Sequence, residues 1–159
     1  RRLLLQDKKV DLDAKAELML VLADRIQHIK EVILPALERG AIVVSDRYIH
    51  STIAYQGMAR GIGPVTVELF CEWATVGLKP DLTIYTQASI EKARERLIAR
   101  GVPEDKLESA GDTFKQKIRE GYEYTCGLLL DDEKFVVGED LSIEEASSAI
   151  LERVMKLLQ

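Results

Sequence analysis

Between two segments of helical periodicity the chain carries one short apolar run, Ala41-Ile42-Val43-Val44, that ends on Ser45-Asp46-Arg47-Tyr48. This run constrains the fold more than any other stretch. Apolar, mostly β-branched and without polar alternation, it reads as a strand buried on both faces, as in a parallel sheet covered by helices. Gly40 before it suits the left-handed end of a helix. Ligands of open α/β sheets sit beyond the carboxyl ends of the strands, and that is where Asp46 and Arg47 fall. The dipeptide thereby delivers a carboxylate and a planar guanidinium fork to one crevice. An Asx-capped turn with a surface Arg accounts for the dipeptide taken alone.

The segments around the run supply the helices such a sheet needs. Over residues 13–39, Leu18, Val21, Leu22, Arg25, Ile29, Val32, Ile33 and Ala36 recur on one face at helical spacing. Arg25 interrupts that apolar stripe. A guanidinium there needs a carboxylate, backbone carbonyls or a ligand, or must snorkel to water. Pro35 removes one helical hydrogen bond and should kink the helix near its end. Gly57, Gly61 and Gly63 read as a loop, followed by a helix over 64–76 with Pro64 in its first turn. A strand over 82–85, a helix over 90–100, a helix over 113–130, a strand over 135–137 and a helix over 142–158 complete the pattern. Ala93, Arg96 and Leu97 are inward-facing candidates of the 90–100 helix. Ser142 with Glu145 has the spacing of a capping box. The polar stretch 101–111 breaks periodicity and reads as a mobile lid or as a plain solvated connection. Helices alternating with short apolar strands predict a three-layer α/β fold with a parallel sheet, as one domain over 1–159.

Composition narrows the partners. With 22 Lys plus Arg against 27 Asp plus Glu, the formal net charge is −5. That lacks the basic face expected of a duplex-binding protein, yet a few convergent arginines suffice for a nucleotide. Cys71 and Cys126 fit no metal or redox spacing, and no apolar run is long enough to span a bilayer. The expected location is the cytoplasm, with no nucleic-acid and no membrane partner. An Asp directly after a hydrophobic strand is also the Walker-B arrangement, which holds Mg²⁺ directly or through water in phosphotransferases.

Asp46-Arg47-Tyr48, Ser51-Thr52, Ala54-Tyr55-Gln56-Gly57 and Arg60-Gly61, in that order, resemble the signature of the thymidylate kinases, a branch of the P-loop nucleoside monophosphate kinases. Pro35-Ala36-Leu37, Trp73-Ala74, Gly77-Leu78, Pro80-Asp81-Leu82-Thr83 and Arg119-Glu120-Gly121-Tyr122 extend the resemblance to the last helix. It implies an enzyme that transfers the γ-phosphoryl group of ATP to dTMP with Mg²⁺, giving dTDP, and that works as a homodimer. It implies that Arg47 grips the acceptor phosphate and that Asp46 organises the magnesium shell or the acceptor site. Arg25 then reaches the thymine edge, Thr52 contacts the base, Tyr55 lies beside the deoxyribose, and Gln56 is a further polar contact. Arg96, Arg100 and Lys106 are the cations of the lid region, at about 101–111, that would neutralise charge during transfer.

Two positions depart from the family pattern. Val21 stands where the family usually stacks a Phe on thymine, and an aromatic stack is worth about 1–3 kcal/mol. Asp105-Lys106 stands where the lid commonly has Asp-Arg, replacing a fork with a point charge. No G-x-x-x-x-G-K-[ST] occurs in these residues, so the expectation is an amino-terminally truncated kinase domain. Such a piece lacks the phosphate-cradling loop, its strand and one further strand, and is inactive alone. A non-catalytic nucleotide-binding module and a deoxynucleotide kinase of altered base choice are the competing readings.

Overall fold

A computed structural model of the chain describes residues 11–101 and 110–158. The chain divides into two compact units, Arg1–Lys79 with Asp105–Thr125 and Pro80–Glu104 with Cys126–Gln159.

The first unit is built on helix α1, Ala14–His28, capped by the Asp13 side chain accepting from the Lys15 amide at 2.8 Å. It runs on through a π-helical turn, Ile29–Ile33, into α2, Leu34–Glu38. Pro35 explains the wide turn. It brings no N–H and its ring crowds the carbonyl four residues back. Winding one residue wider instead lets the Leu34 amide reach the Ile29 carbonyl. The kink expected at Pro35 is therefore absorbed just before it.

Residues 41–45 depart from the expected strand. They carry no sheet hydrogen bonding, and Ile42 and Val44 are 64% and 91% exposed. A β-branched run becomes a strand only against a neighbour that accepts and donates its backbone bonds. Among the described residues the two strands pair with each other and neither pairs with this run. Of the stretch expected as motif and loop, residues 49–59 are helical, while Gly61 and Gly63 lie in the short connection that follows. Helix α3, Ile49–Thr52, continues as a second π-helical segment, Ile53–Ala59, and Gly57 lies inside it. Gly57 abuts Pro64, whose Cα would stand 3.0 Å from any Cβ added there. Helix α4, Pro64–Thr75, follows, with Gly63 at φ 105° before it and Val76 at φ 52° closing it.

Leu18 and Leu22 of α1, Ile53, and Val67, Cys71 and Ala74 of α4 form the core of this unit, flanked by Ile49, Ile62 and Tyr124. Helix α6, Asp112–Leu128, packs so closely that a Cβ on Gly121 would meet the Ala54 Cα at 2.5 Å. Side-chain-free glycine is what permits that approach.

In the second unit β1, Thr83–Thr86, pairs in parallel with β2, Lys134–Val137, with Ile84 opposite Phe135. Helix α5, Ile90–Arg100, is capped by Ser89, and α7, Ile143–Leu157, by the full Ser142–Glu145 capping box. Lys134 Nζ donates to the carbonyls of Cys126 at 3.3 Å and Leu129 at 2.9 Å, satisfying acceptors at and just past the end of α6. On α5 Ile90, Lys92 and Leu97 are half-buried. Ala93 and Arg96, expected to face inward, are exposed, because the helix is too polar to bury a wide face. Helices and a parallel sheet define an α/β fold; the described sheet has two strands. Most of the expected lid, 102–109, lies outside the described residues. No described helix is long and apolar enough to cross a membrane.

Candidate functional site

The site grows from α1 and the 45–60 segment, both in the first unit. Arg25 leaves the apolar stripe of α1 sideways. Its Nη2 donates to the Tyr48 carbonyl and to the Thr52 Oγ1, each at 3.2 Å, and its Cζ stands 4.8 Å from the Tyr48 ring centroid. Its Nε is buried without a partner among the described residues. Burial pulls the Arg25 pKa below its ordinary value, against the opposing pull of Cys71, Tyr48 and Asp24. The sequence requirement for internal acceptors is thus met in part, and one donor remains.

Arg47 directly precedes Tyr48 in the chain. Its backbone is left-handed, φ 73°, in a tight turn in which Ser45 Oγ donates to the Arg47 carbonyl at 2.9 Å. A side-chain-bearing residue accepts that conformation at a cost of about 1–2 kcal/mol, which marks the turn as held in place. The guanidinium sits 5.0 Å from the Tyr55 ring centroid, a cation–π arrangement. Among the described residues it makes no ion pair, so its charge faces a ring and water. Asp46, next to it, is exposed at the end of the 41–45 run.

Tyr122 of α6 completes this wall and is the residue that sequence reasoning left without a role. Its hydroxyl lies 2.8 Å from Ser51 Oγ, and its ring meets Tyr55 edge-on at 6.3 Å and 84°. The signal was the adjacent Gly121, whose contact with Ala54 carries Tyr122 onto the α3 segment. Burial raises the Tyr122 pKa, with Ser51 and Arg47 pulling it back.

The other expected residues divide. Val21 lies on α1 one turn before Arg25, half-buried, and Thr52 is buried against Arg25. Gln56 is 5% exposed, and its Nε2 donates to Glu17 Oε1 at 2.8 Å, which ties it to the interior. Arg96 and Arg100 belong to α5 in the second unit; Arg96 is exposed and the side chain of Arg100 lies outside the described part. Lys106 is outside the described residues. His50 sits in the first turn of α3, half-buried. Burial and then the Arg25 charge push its pKa down to about 4. Cys71, fully buried, is pushed up to about 11 by burial, against Arg25 and Thr52. Among the described residues no cluster of three His, Cys, Asp or Glu side chains could hold a metal ion.

The fold is thus that of an α/β protein with a parallel sheet, and the candidate site is a helix-built cluster with one guanidinium on an aromatic wall and a second bonded to a buried hydroxyl. A sequence model of the family described as thymidylate kinase matches residues 1–150, and the chain belongs to that family. Among curated proteins it is similar to a thymidylate kinase of Staphylococcus epidermidis (strain RP62A), with 42% identity over 123 residues. That match takes in 77% of this chain and spans 60% of the relative's own length.

Proposed function

We propose that the protein carrying this chain transfers the γ-phosphoryl group of ATP to dTMP, yielding dTDP and ADP, and that the first unit holds the acceptor nucleotide. The observation that carries this reading is a pair of arginines set over two tyrosines of one compact unit, Arg25 over Tyr48 and Arg47 over Tyr55. Arg47 presents a fork over the Tyr55 ring that suits a dianionic phosphate in bidentate fashion. Arg25 lies beside the Thr52 hydroxyl, and a guanidinium there suits the carbonyl edge of a base. Tyr55 follows both in sequence and is assigned to the sugar. Its bulk disfavours a 2′-hydroxyl. Gln56 is the least supported of the assigned contacts, since its amide is engaged by Glu17.

In such a transfer the protein does little covalent chemistry; positioning and charge neutralisation dominate. Arg47 fixes the acceptor phosphate. Arg96, Arg100 and Lys106 are the cations assigned to the transferring group. A single exposed carboxylate, Asp46, fits Mg²⁺, which takes one or two carboxylates and completes its shell with water and phosphate oxygens. When bound, Mg²⁺ supplies charge neutralisation between donor and acceptor phosphates. Assembly as a homodimer and a cytoplasmic location belong to the same reading.

Val21 favours a second reading, a deoxynucleotide kinase with relaxed base choice. Nothing aromatic stands at that turn of α1, and the thymine methyl alone is worth only about 0.8 kcal/mol on burial. The test is kcat/KM of the full-length protein with ATP and dTMP, dUMP or dCMP. A preference for dTMP of tenfold or more supports the first reading. Parity among the pyrimidines supports the second, and turnover of none of them overturns both.

A further inference from the structure

Glu17 is a carboxylate with no place in the reading above, and it is 4% exposed. A carboxylate so buried is unfavourable unless its oxygens are filled. Three donors fill them: Gln56 Nε2 at 2.8 Å and Arg60 Nε at 3.2 Å on Oε1, and Arg60 Nη2 at 2.9 Å on Oε2. The far face of the Arg60 guanidinium rests on Phe114, 5.1 Å from the ring centroid. Gln56 and Arg60 belong to the π-helical segment and its carboxyl-terminal cap.

That segment is wound wide. The Arg60 amide reaches the Tyr55 carbonyl at 2.9 Å, the Ile62 amide the Gln56 carbonyl at 3.3 Å, and the Gly63 amide the Gly57 carbonyl at 2.9 Å. Wide winding is rare and concentrates at functional sites. Here α1 grips the segment at two places, through Arg25 on Thr52 and through Glu17 on Gln56 and Arg60. Returning one residue to α winding would rotate one grip against the other by about 100°, pulling one of them apart. Tyr55, the ring beneath Arg47, lies between the two grips.

We propose that Glu17 is a positioning residue: its carboxylate, clamped by Gln56 and Arg60, holds residues 53–59 in the wide register that sets Tyr55 under Arg47. The proposal rests on the acceptor-site reading. It is tested in the full-length protein with Glu17→Gln, which keeps shape and one acceptor, and with Arg60→Lys, which keeps the charge and loses the fork. Amide hydrogen exchange is read at Arg60, Ile62 and Gly63, with the interior of α4 as reference, and dTMP and ATP dissociation constants are measured by calorimetry.

In each variant that folds, the clamp predicts faster exchange at those three amides with α4 unchanged. It also predicts dTMP binding weakened about tenfold or more and ATP binding within twofold; a misplaced contact of this kind can cost about 100-fold. Unchanged exchange, exchange lost equally in α4, or dTMP binding within threefold of wild type overturns it. Arg47→Ala is the control. If Arg47→Ala binds dTMP normally, the acceptor-site reading fails and the role of Glu17 fails with it. If Arg47→Ala loses dTMP while both clamp variants bind normally, the clamp alone is wrong.

Discussion

Arg47 spends backbone strain on its position, and Ser45 locks the turn that imposes it. A charge-assisted fork on a desolvated phosphate is worth far more than that strain. In the full-length protein Arg47→Ala should therefore lower kcat/KM for dTMP by about 30-fold to several thousand-fold, the equivalent of ~2–5 kcal/mol. Arg47→Lys should recover only part, because the ammonium keeps charge without the fork. A folded Arg47→Ala protein within threefold of wild type would show that the residue is structural. Arg25 answers differently. It donates to Thr52 and the Tyr48 carbonyl, and its buried Nε has no partner among the described residues. Arg25→Ala should raise KM for dTMP more than it lowers kcat, and should flatten the preference over dUMP; steady-state kinetics with both substrates separates these effects.

Elements meet in the first unit through small residues. Gly121 of α6 lies against Ala54, with space for a Cβ only 2.5 Å from the Ala54 Cα. Gly121→Ala should push α6 off the α3 segment and destabilise by roughly 1–3 kcal/mol, as overpacking does. Because Tyr122 rides on the same turn, dTMP affinity should fall along with Tm. Equal Tm values for the variant and wild type would mean the contact is absent in solution. The end of α4 offers the opposite change. Val76 holds φ 52° while 91% exposed, a β-branched side chain in a conformation that suits Asn or Gly. Val76→Asn should stabilise by about 1 kcal/mol, read as a higher midpoint in urea at unchanged slope.

At the scale of the whole molecule, acid should find the His50 region first. His50 is half-buried and its folded pKa is pushed from 6.5 to about 4 by burial and by Arg25. A depressed folded pKa means the unfolded chain binds the proton more readily. The contribution to stability is complete above pH 6.5 and is lost as pH falls toward 4, by at most about 1.4 kcal/mol per pH unit. Relative to His50→Gln, wild-type stability measured in urea should fall progressively across that window. Parallel curves would mean that His50 titrates normally.

What the residues alone determined is the α/β alternation, the helix caps and the family. Periodicity places α1, α4, α5, α6 and α7, and Ser142 with Glu145 announces its own cap. Asp46, Arg47 and Arg25 stand out because charge at the end of an apolar run, or inside one, needs a partner. What only tertiary structure decided is how the middle of the chain winds. Residues 41–45 have strand chemistry and no described strand to pair with, so propensity has nothing to act through. Residues 49–59, with Gly57 among them, are helical because α1 grips them through Arg25 and Glu17 and α6 closes over Ala54. Gln56 reads as a ligand contact in sequence and points to Glu17 in space. The wide register that orients these groups depends on contacts 27 to 43 residues apart, a distance over which local pattern carries no information.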